Sequence, residues 1–180
     1  MSRRSSTLPM KLSPKSLVAE KWVVNSSPVI ALGRVGQVEL LARLPQKTIL
    51  PKAVKEELLN APAGDPARAA VESGLFEIME TPPPPPEVLA WDLGKGETAV
   101  LSYALSAPDW VAILDDGAAR RCARSLSITL IGTLSVVILA KQHGLIESAA
   151  QVLRALRNNE FRLDDAVIRN ALIRTVGEDW

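Results

Sequence analysis

The sequence contains one cysteine and one histidine in 180 residues. With Cys122 alone no internal disulfide can form, so a reducing cytosol is the expected setting and Cys122 reads as a small buried packing residue. With His143 alone, set beside Gly144, neither a Cys/His zinc cage nor a Ser-His-Asp triad has its parts. Aromatic residues make up 4% of the chain, so Trp22, Trp91, Trp110 and Trp180 read as packing residues and the core must be built from Val, Leu, Ile and Ala. No stretch reaches the roughly 18 unbroken apolar residues of a membrane helix. No apolar region follows the Arg3-Arg4 pair, so neither a secretory nor a twin-arginine leader is expected. The formal net charge is +1, which excludes nucleic-acid binding by bulk charge and leaves room for a local basic rim. There is no G-x-x-x-x-G-K-[ST], and Gly94-Lys95-Gly96-Glu97 is too short for a dinucleotide fingerprint.

What is present is a chain 47% apolar, able to bury one sizeable core. Residues 1–20, rich in Ser, Arg, Lys and Pro, read as a flexible tail, and residues 21–180 as a single domain. Short apolar runs without polar alternation occur at Trp22-Val23-Val24, Thr48-Ile49-Leu50, Phe76-Glu77-Ile78-Met79, Val111-Ala112-Ile113-Leu114 and Ile128-Thr129-Leu130-Ile131. Such runs suit strands buried on both faces of a parallel sheet. Between them lie helical stripes. Pro51 opens one, with Val54 and Leu58 on its buried face. Others run through Val100, Tyr103 and Ala104; Ala119, Cys122, Ala123 and Leu126; and Val137, Ile138 and Lys141, the last stopped by Gly144. Val152, Leu153 and Leu156 form a further stripe, and Val167, Ile168, Ala171 and Leu172 the last. Alternating strands and helices predict right-handed crossovers and an α/β fold. Pro82 to Pro86 predict a polyproline II spacer of about 15 Å within that domain.

In an open parallel sheet, ligands bind outside the carboxyl ends of the strands. Asn25, Ser26 and Ser27 follow the first apolar run, Asp115 and Asp116 the fourth, and Gly132 and Thr133 the fifth. Glu97 opens the helix before the fourth. Oxygen donors gathered at one sheet end suit Mg²⁺ or Mn²⁺, which can activate a water and offset charge growing on a phosphate. Each residue also has a plainer role. Glu97 suits the positive end of its helix, Asp116 suits an N-cap, Ser26 and Thr133 suit caps, and His143 suits a helix end. Lys95, Arg120, Arg121 and Lys141 are candidate phosphate contacts.

These segments resemble a known family. Val23-Val24-Asn25-Ser26-Ser27-Pro28-Val29-Ile30-Ala31-Leu32 looks like the opening of PIN domains, and Ile49-Leu50-Pro51-Lys52-Ala53-Val54-Lys55-Glu56-Glu57-Leu58 like their second strand and helix. Leu93-Gly94-Lys95-Gly96-Glu97-Thr98-Ala99 resembles the segment bearing the second acid, Leu114-Asp115-Asp116-Gly117-Ala118-Ala119-Arg120-Arg121 that bearing the third, and Ile131-Gly132-Thr133-Leu134-Ser135-Val136-Val137 the fifth strand and its exit. The resemblance covers Trp22 to about Gly177. It implies a three-layer α/β/α fold with a central parallel sheet of about five strands, and often a homodimer. In active relatives such as VapC-type toxins it implies Mg²⁺- or Mn²⁺-dependent cleavage of RNA, with an antitoxin protein as partner. Carried over, Glu97 and Asp115 fall on metal-ligand positions, and Asp116 stands in for a fourth acid. Asn25 falls where most active relatives have Asp. Ser26, Lys95, Arg120 and Thr133 are the expected nucleic-acid contacts. The carboxamide at Asn25 keeps an oxygen donor and removes a charge. The resemblance is therefore compatible with a working nuclease and with a catalytically weak or inactive binding module.

Overall fold

The computed structural model of the protein describes residues 20–180, so the tail expected over residues 1–20 lies outside it, Glu20 apart. Five strands form one sheet: β1 (Lys21–Val24), β2 (Lys47–Pro51), β3 (Glu77–Met79), β4 (Trp110–Ile113) and β5 (Leu130–Ile131). Their order is β3-β2-β1-β4-β5 and every pair is parallel. Trp22, Val23, Val24, Ile49, Leu50, Ala112 and Ile113 are completely buried. That is the physical meaning of their unbroken apolar runs, since helices cover both faces of the sheet; only strand ends and the β3 edge, at Lys47 and Glu77, are exposed.

Among the described residues the helices are α1 (Ser26–Arg34), α2 (Leu40–Arg43), α3 (Lys52–Leu59), α4 (Pro66–Glu72), α5 (Pro86–Leu89), α6 (Lys95–Ser106), α7 (Gly117–Ser125), α8 (Thr133–Gln142), α9 (Ala149–Asn158) and α10 (Asp165–Thr175). Helix α6 packs on β1, β2 and β4 with α3 and α7 beside it, while α1, α8 and α9 pack together. The architecture is the expected three-layer α/β/α. The strands before and after the proline run, β3 and β4, belong to the same sheet.

Two prolines differ from expectation. Pro51 pairs with Met79 at the end of β2 and serves as the N-cap of α3, so Lys52 is the first helical residue. A proline costs nothing at either place, because the next helix has no use for its missing N–H. Pro86 leaves the spacer and opens α5 at N1, where its fixed φ is already helical. Helix α4 had a readable start that the periodicity did not reveal: the Asp65 side chain accepts from the N–H groups of Ala67 and Arg68, with Pro66 at N1.

Trp22 and Trp110 are core residues, and Tyr103 meets Trp110 edge to face at 5.2 Å between centroids. His143 is the C-cap of α8 and Gly144 follows it at φ +69°, the left-handed turn that favours glycine there. Near the end of the chain, the Glu178 carboxylate accepts from Ser148 Oγ and from the Ala149 and Ala150 N–H groups, with Lys141 Nζ 3.3 Å away. It thereby closes the amino end of α9.

Candidate metal and nucleic-acid site

From β1 the chain steps to β2 and β3 on one side, then returns to place β4 and β5 on the other. This reversal opens a crevice outside the carboxyl ends of β1 and β4. Asn25 follows β1 directly, and its N–H extends the ladder by donating to the Ile113 carbonyl at 3.1 Å. Val24 is in register with Ile113, so Asn25 and the Leu114-Asp115 segment leave adjacent strands side by side.

Asn25 is completely buried. Its Nδ2 donates to Glu97 Oε1 at 3.0 Å, and its Oδ1 has no hydrogen-bond partner among the described residues. An acceptor left unpaired in the interior costs about 1–3 kcal/mol, so it calls for an explanation. Glu57 on α3 stands nearby. Its Oε1 accepts from the Gly96 N–H at 2.9 Å and its Oε2 from Ser26 Oγ at 2.9 Å. A Cβ on Gly96 would lie 2.7 Å from Glu57 Oε2 and 2.9 Å from Asn25 Oδ1. Glycine at 96 therefore keeps open a point that two oxygen atoms from different segments approach.

Across the crevice, Asp115 Oδ1 accepts from the Thr133 N–H at 2.8 Å and Oδ2 from Thr133 Oγ1 at 2.6 Å. Burial pushes the Asp115 carboxyl above the usual carboxylate range, and the Thr133 bonds, the Arg120 charge and the Ser27 hydroxyl only partly offset this. Arg120 Nη1 donates to the Leu114 carbonyl at 2.8 Å. It would lie 2.7 Å from a Cβ on Gly132, and Asp115 Oδ1 would lie 2.9 Å from the same point. The first turn of α1 joins the two halves of the crevice, with Ser26 bonded to Glu57 and Ser27 to Asp115.

A family model described as a PIN domain matches residues 21–178. The chain belongs to the PIN-domain family. A search of curated proteins finds no match to it. The PIN domain gives this chain a fold of the nuclease type.

Within this PIN domain the residues expected from sequence divide into two groups. Asn25, Ser26, Glu97 and Thr133 lie at the carboxyl end of the sheet with side-chain contacts to other site residues. Asp116 accepts from the Ala119 N–H at 2.8 Å as the N-cap of α7, the plainer of its two expected roles. Thr133 is completely buried, and both its N–H and its hydroxyl are engaged by Asp115. Lys95 is exposed at the first position of α6, close to Glu97 and Gly96. Lys141 lies near the far end of α8, where it contacts Glu147 and Glu178.

Glu57 was not among the sequence candidates. The sequence gives Glu56-Glu57 on a helix with Val54 and Leu58 buried, a pattern that any solvated helix edge produces. The packing of α3 against α6 makes the difference.

Among the described residues, no three His, Cys, Asp or Glu side chains converge as a metal cage of their own. The donors on the β1 side are instead mixed: two carboxylates and the unpaired carboxamide oxygen of Asn25. This all-oxygen set suits a hard divalent cation that keeps several waters. The orphaned Oδ1 is the observation that fits such an ion best.

Proposed function

We propose that this PIN domain is a divalent-metal-dependent ribonuclease that hydrolyses RNA phosphodiester bonds. The observation carrying this reading is Asn25 Oδ1, buried without a partner and approaching the same point over Gly96 as Glu57 Oε2. Asn25, Glu57 and Glu97 would hold Mg²⁺ or Mn²⁺, with Asp115 facing them from β4. When bound, the cation would supply Lewis-acid stabilisation for phosphodiester hydrolysis. Asp115 would orient and deprotonate the attacking water through its carboxylate. Its raised proton affinity suits a general base better than an exposed aspartate would. Thr133 and Ser27 fix that carboxylate. Arg120 and Lys95 would receive phosphate. The wider reading is a cytoplasmic toxin, homodimeric and controlled by an antitoxin protein.

A second reading has its own support. The carboxamide at position 25 carries no charge, and no cluster of three acids forms among the described residues. A weak or inactive domain that binds RNA or a partner protein would tolerate both. Incubating pure protein with RNA and Mn²⁺ separates the two. The ribonuclease reading expects cleavage that chelation abolishes and that Glu57→Gln and Glu97→Gln each reduce at least about tenfold, the scale of weakening a metal site by one partner. Intact RNA in the presence of millimolar Mn²⁺ refutes it.

A further inference from the structure

Trp22, Trp110 and Trp180 are each held within the domain. Trp22 is completely buried and has an interaction of its own. Trp110 meets Tyr103 edge to face, with Lys21 Nζ 5.8 Å from its centroid. Trp180 lies under Arg154 and Arg157, 5.6 and 4.7 Å from its centroid, and its Nε1 donates to Asp165 at 3.1 Å. The side chain of Trp91 is different. Among the described residues it makes no hydrogen bond, ring contact or cation contact. It packs in part against the core and is half-buried. An indole N–H usually finds a partner, so a half-buried tryptophan without one is open to a ligand. Leu89, at the end of α5, is 55% exposed, which extends the apolar surface beyond a single ring.

Trp91 stands at the approach to the crevice. The chain leaves β3 at the carboxyl end of the sheet, passes through the proline run to α5, and enters α6 after Gly94. Trp91 and Gly94 are three Cα steps apart, at most about 11 Å, and Glu97 Oε2 rests against Gly94. The segment is tied down on both sides of Trp91. The Trp91 N–H donates to the Val88 carbonyl at 3.1 Å, and Val88 is completely buried. Thr98 Oγ1 on α6 donates to the Leu93 carbonyl at 3.4 Å. A ring fixed beforehand loses little freedom when a ligand settles on it. With a formal net charge of +1, attraction to phosphates gives a weak hold on RNA, whereas every base offers a π face to an aromatic side chain. We infer that Trp91 is a nucleobase platform, on which one base of a single RNA strand stacks while an adjoining phosphate enters the crevice. This rests on the RNA part of the proposed function and not on its metal part.

The test is binding of a fluorescein-labelled 2′-O-methyl oligoribonucleotide, followed by anisotropy in EDTA over a range of KCl. Trp91→Leu keeps an apolar side chain against the core and removes the ring. It should weaken binding by about fivefold or more, the lower end of what stacking one base contributes. The slope of log affinity against log salt should not change, because stacking releases no counterions. Trp91→Phe should restore most of the affinity. Ile173→Ala, an equally exposed apolar residue on α10, is the control and should bind as the native protein does. If Trp91→Leu unfolds, Trp91→Phe and the native protein carry the test through their tryptophan emission: RNA should quench it in the native protein and much less in the variant. Native affinity in Trp91→Leu overturns the proposal, as does failure of the native protein to bind the probe. Weak binding that Trp91→Phe does not restore overturns it in favour of a packing role, and an altered salt slope in favour of a displaced phosphate contact. Ring-dependent RNA binding by a protein that shows no response to Mn²⁺ supports the platform while removing the catalytic reading.

Discussion

Asn25 and Glu97, 72 positions apart, meet through a 3.0 Å bond from the carboxamide nitrogen to the carboxylate. The bond fixes the Asn25 side chain so that Oδ1 is left buried and unpaired. An aspartate at 25 would have no donor for Glu97, and the two carboxylates would repel at contact distance. Asn25→Asp should therefore lower the melting temperature of the metal-free protein and enlarge the upward shift that Mn²⁺ produces. An ion at 100 times its dissociation constant stabilises the fold by about 2.7 kcal/mol. Differential scanning fluorimetry with and without Mn²⁺ reads both effects. An identical metal titration in native protein and variant would place Asn25 outside the ion's reach.

Glu57 is exposed and spends its oxygens on Gly96 N–H and Ser26 Oγ. Glu57→Gln should cost about 1 kcal/mol or less without metal, as is usual for surface polar contacts. The Mn²⁺-dependent melting shift should disappear. A full shift in this variant would exclude Glu57 from the metal site.

Asp115 makes a pH prediction whose sign follows from burial. Its carboxyl holds its proton more tightly folded than unfolded. Folded protein then binds more protons than unfolded protein between the ordinary aspartate value of 3.8 and the raised value, so its contribution to stability falls as pH rises through that window. At neutral pH the buried charge is a net cost. Asp115→Asn should raise the metal-free melting temperature at pH 7 and abolish RNA cleavage. A fall in melting temperature would mean that the Thr133 bonds outweigh burial.

Helix propensity alone says that Gly96→Ala should stabilise α6 by roughly 0.5–1 kcal/mol. The added Cβ would instead meet Glu57 Oε2 at 2.7 Å and Asn25 Oδ1 at 2.9 Å. The exposed Glu57 side chain can swing aside, but Asn25 is buried and held by Glu97, so the variant should lose the propensity gain and cost about 1–3 kcal/mol, the scale of overpacking. The oxygens would no longer face one point, and the Mn²⁺ response should be lost. Isothermal titration of the variant checks this, and native-like metal affinity would show that the space over Gly96 is not the site.

Glu178 lies far from the crevice and tests the fold alone. Burial works against its charge, but the Ala150 and Ala149 N–H groups, Ser148 and Lys141 outweigh it and hold its pKa below the usual value of 4.5. The stabilisation is present above pH 4.5 and is lost as pH falls through the lowered folded value. Glu178→Ala should cost about 1–2 kcal/mol at pH 7, the scale of a lost helix cap, and the difference should shrink in acid. Urea unfolding at pH 7 and pH 3 measures it. A pH-independent difference would assign the effect to packing.

The sequence by itself determined the layered fold. Five apolar runs without alternation require a sheet covered on both faces, and the helical stripes between them supply the cover. It also singled out the chain positions that meet the crevice, because a parallel sheet presents its ligand-binding end wherever a strand stops. Asn25 and Asp115 were legible for that reason, and Glu97 from its place at the start of the helix that leads into β4. Tertiary structure alone decided what each one touches. Glu57 reached Gly96 and Ser26 at the crevice through the packing of α3 on α6, a relation between helices whose separation along the chain hides it. Thr133 turned inward to hold Asp115, and Asp116 turned away to cap α7. Which oxygen of Asn25's neighbourhood is left unpaired depends on distances of a few tenths of an ångström, and pattern and spacing in a sequence carry no information at that scale.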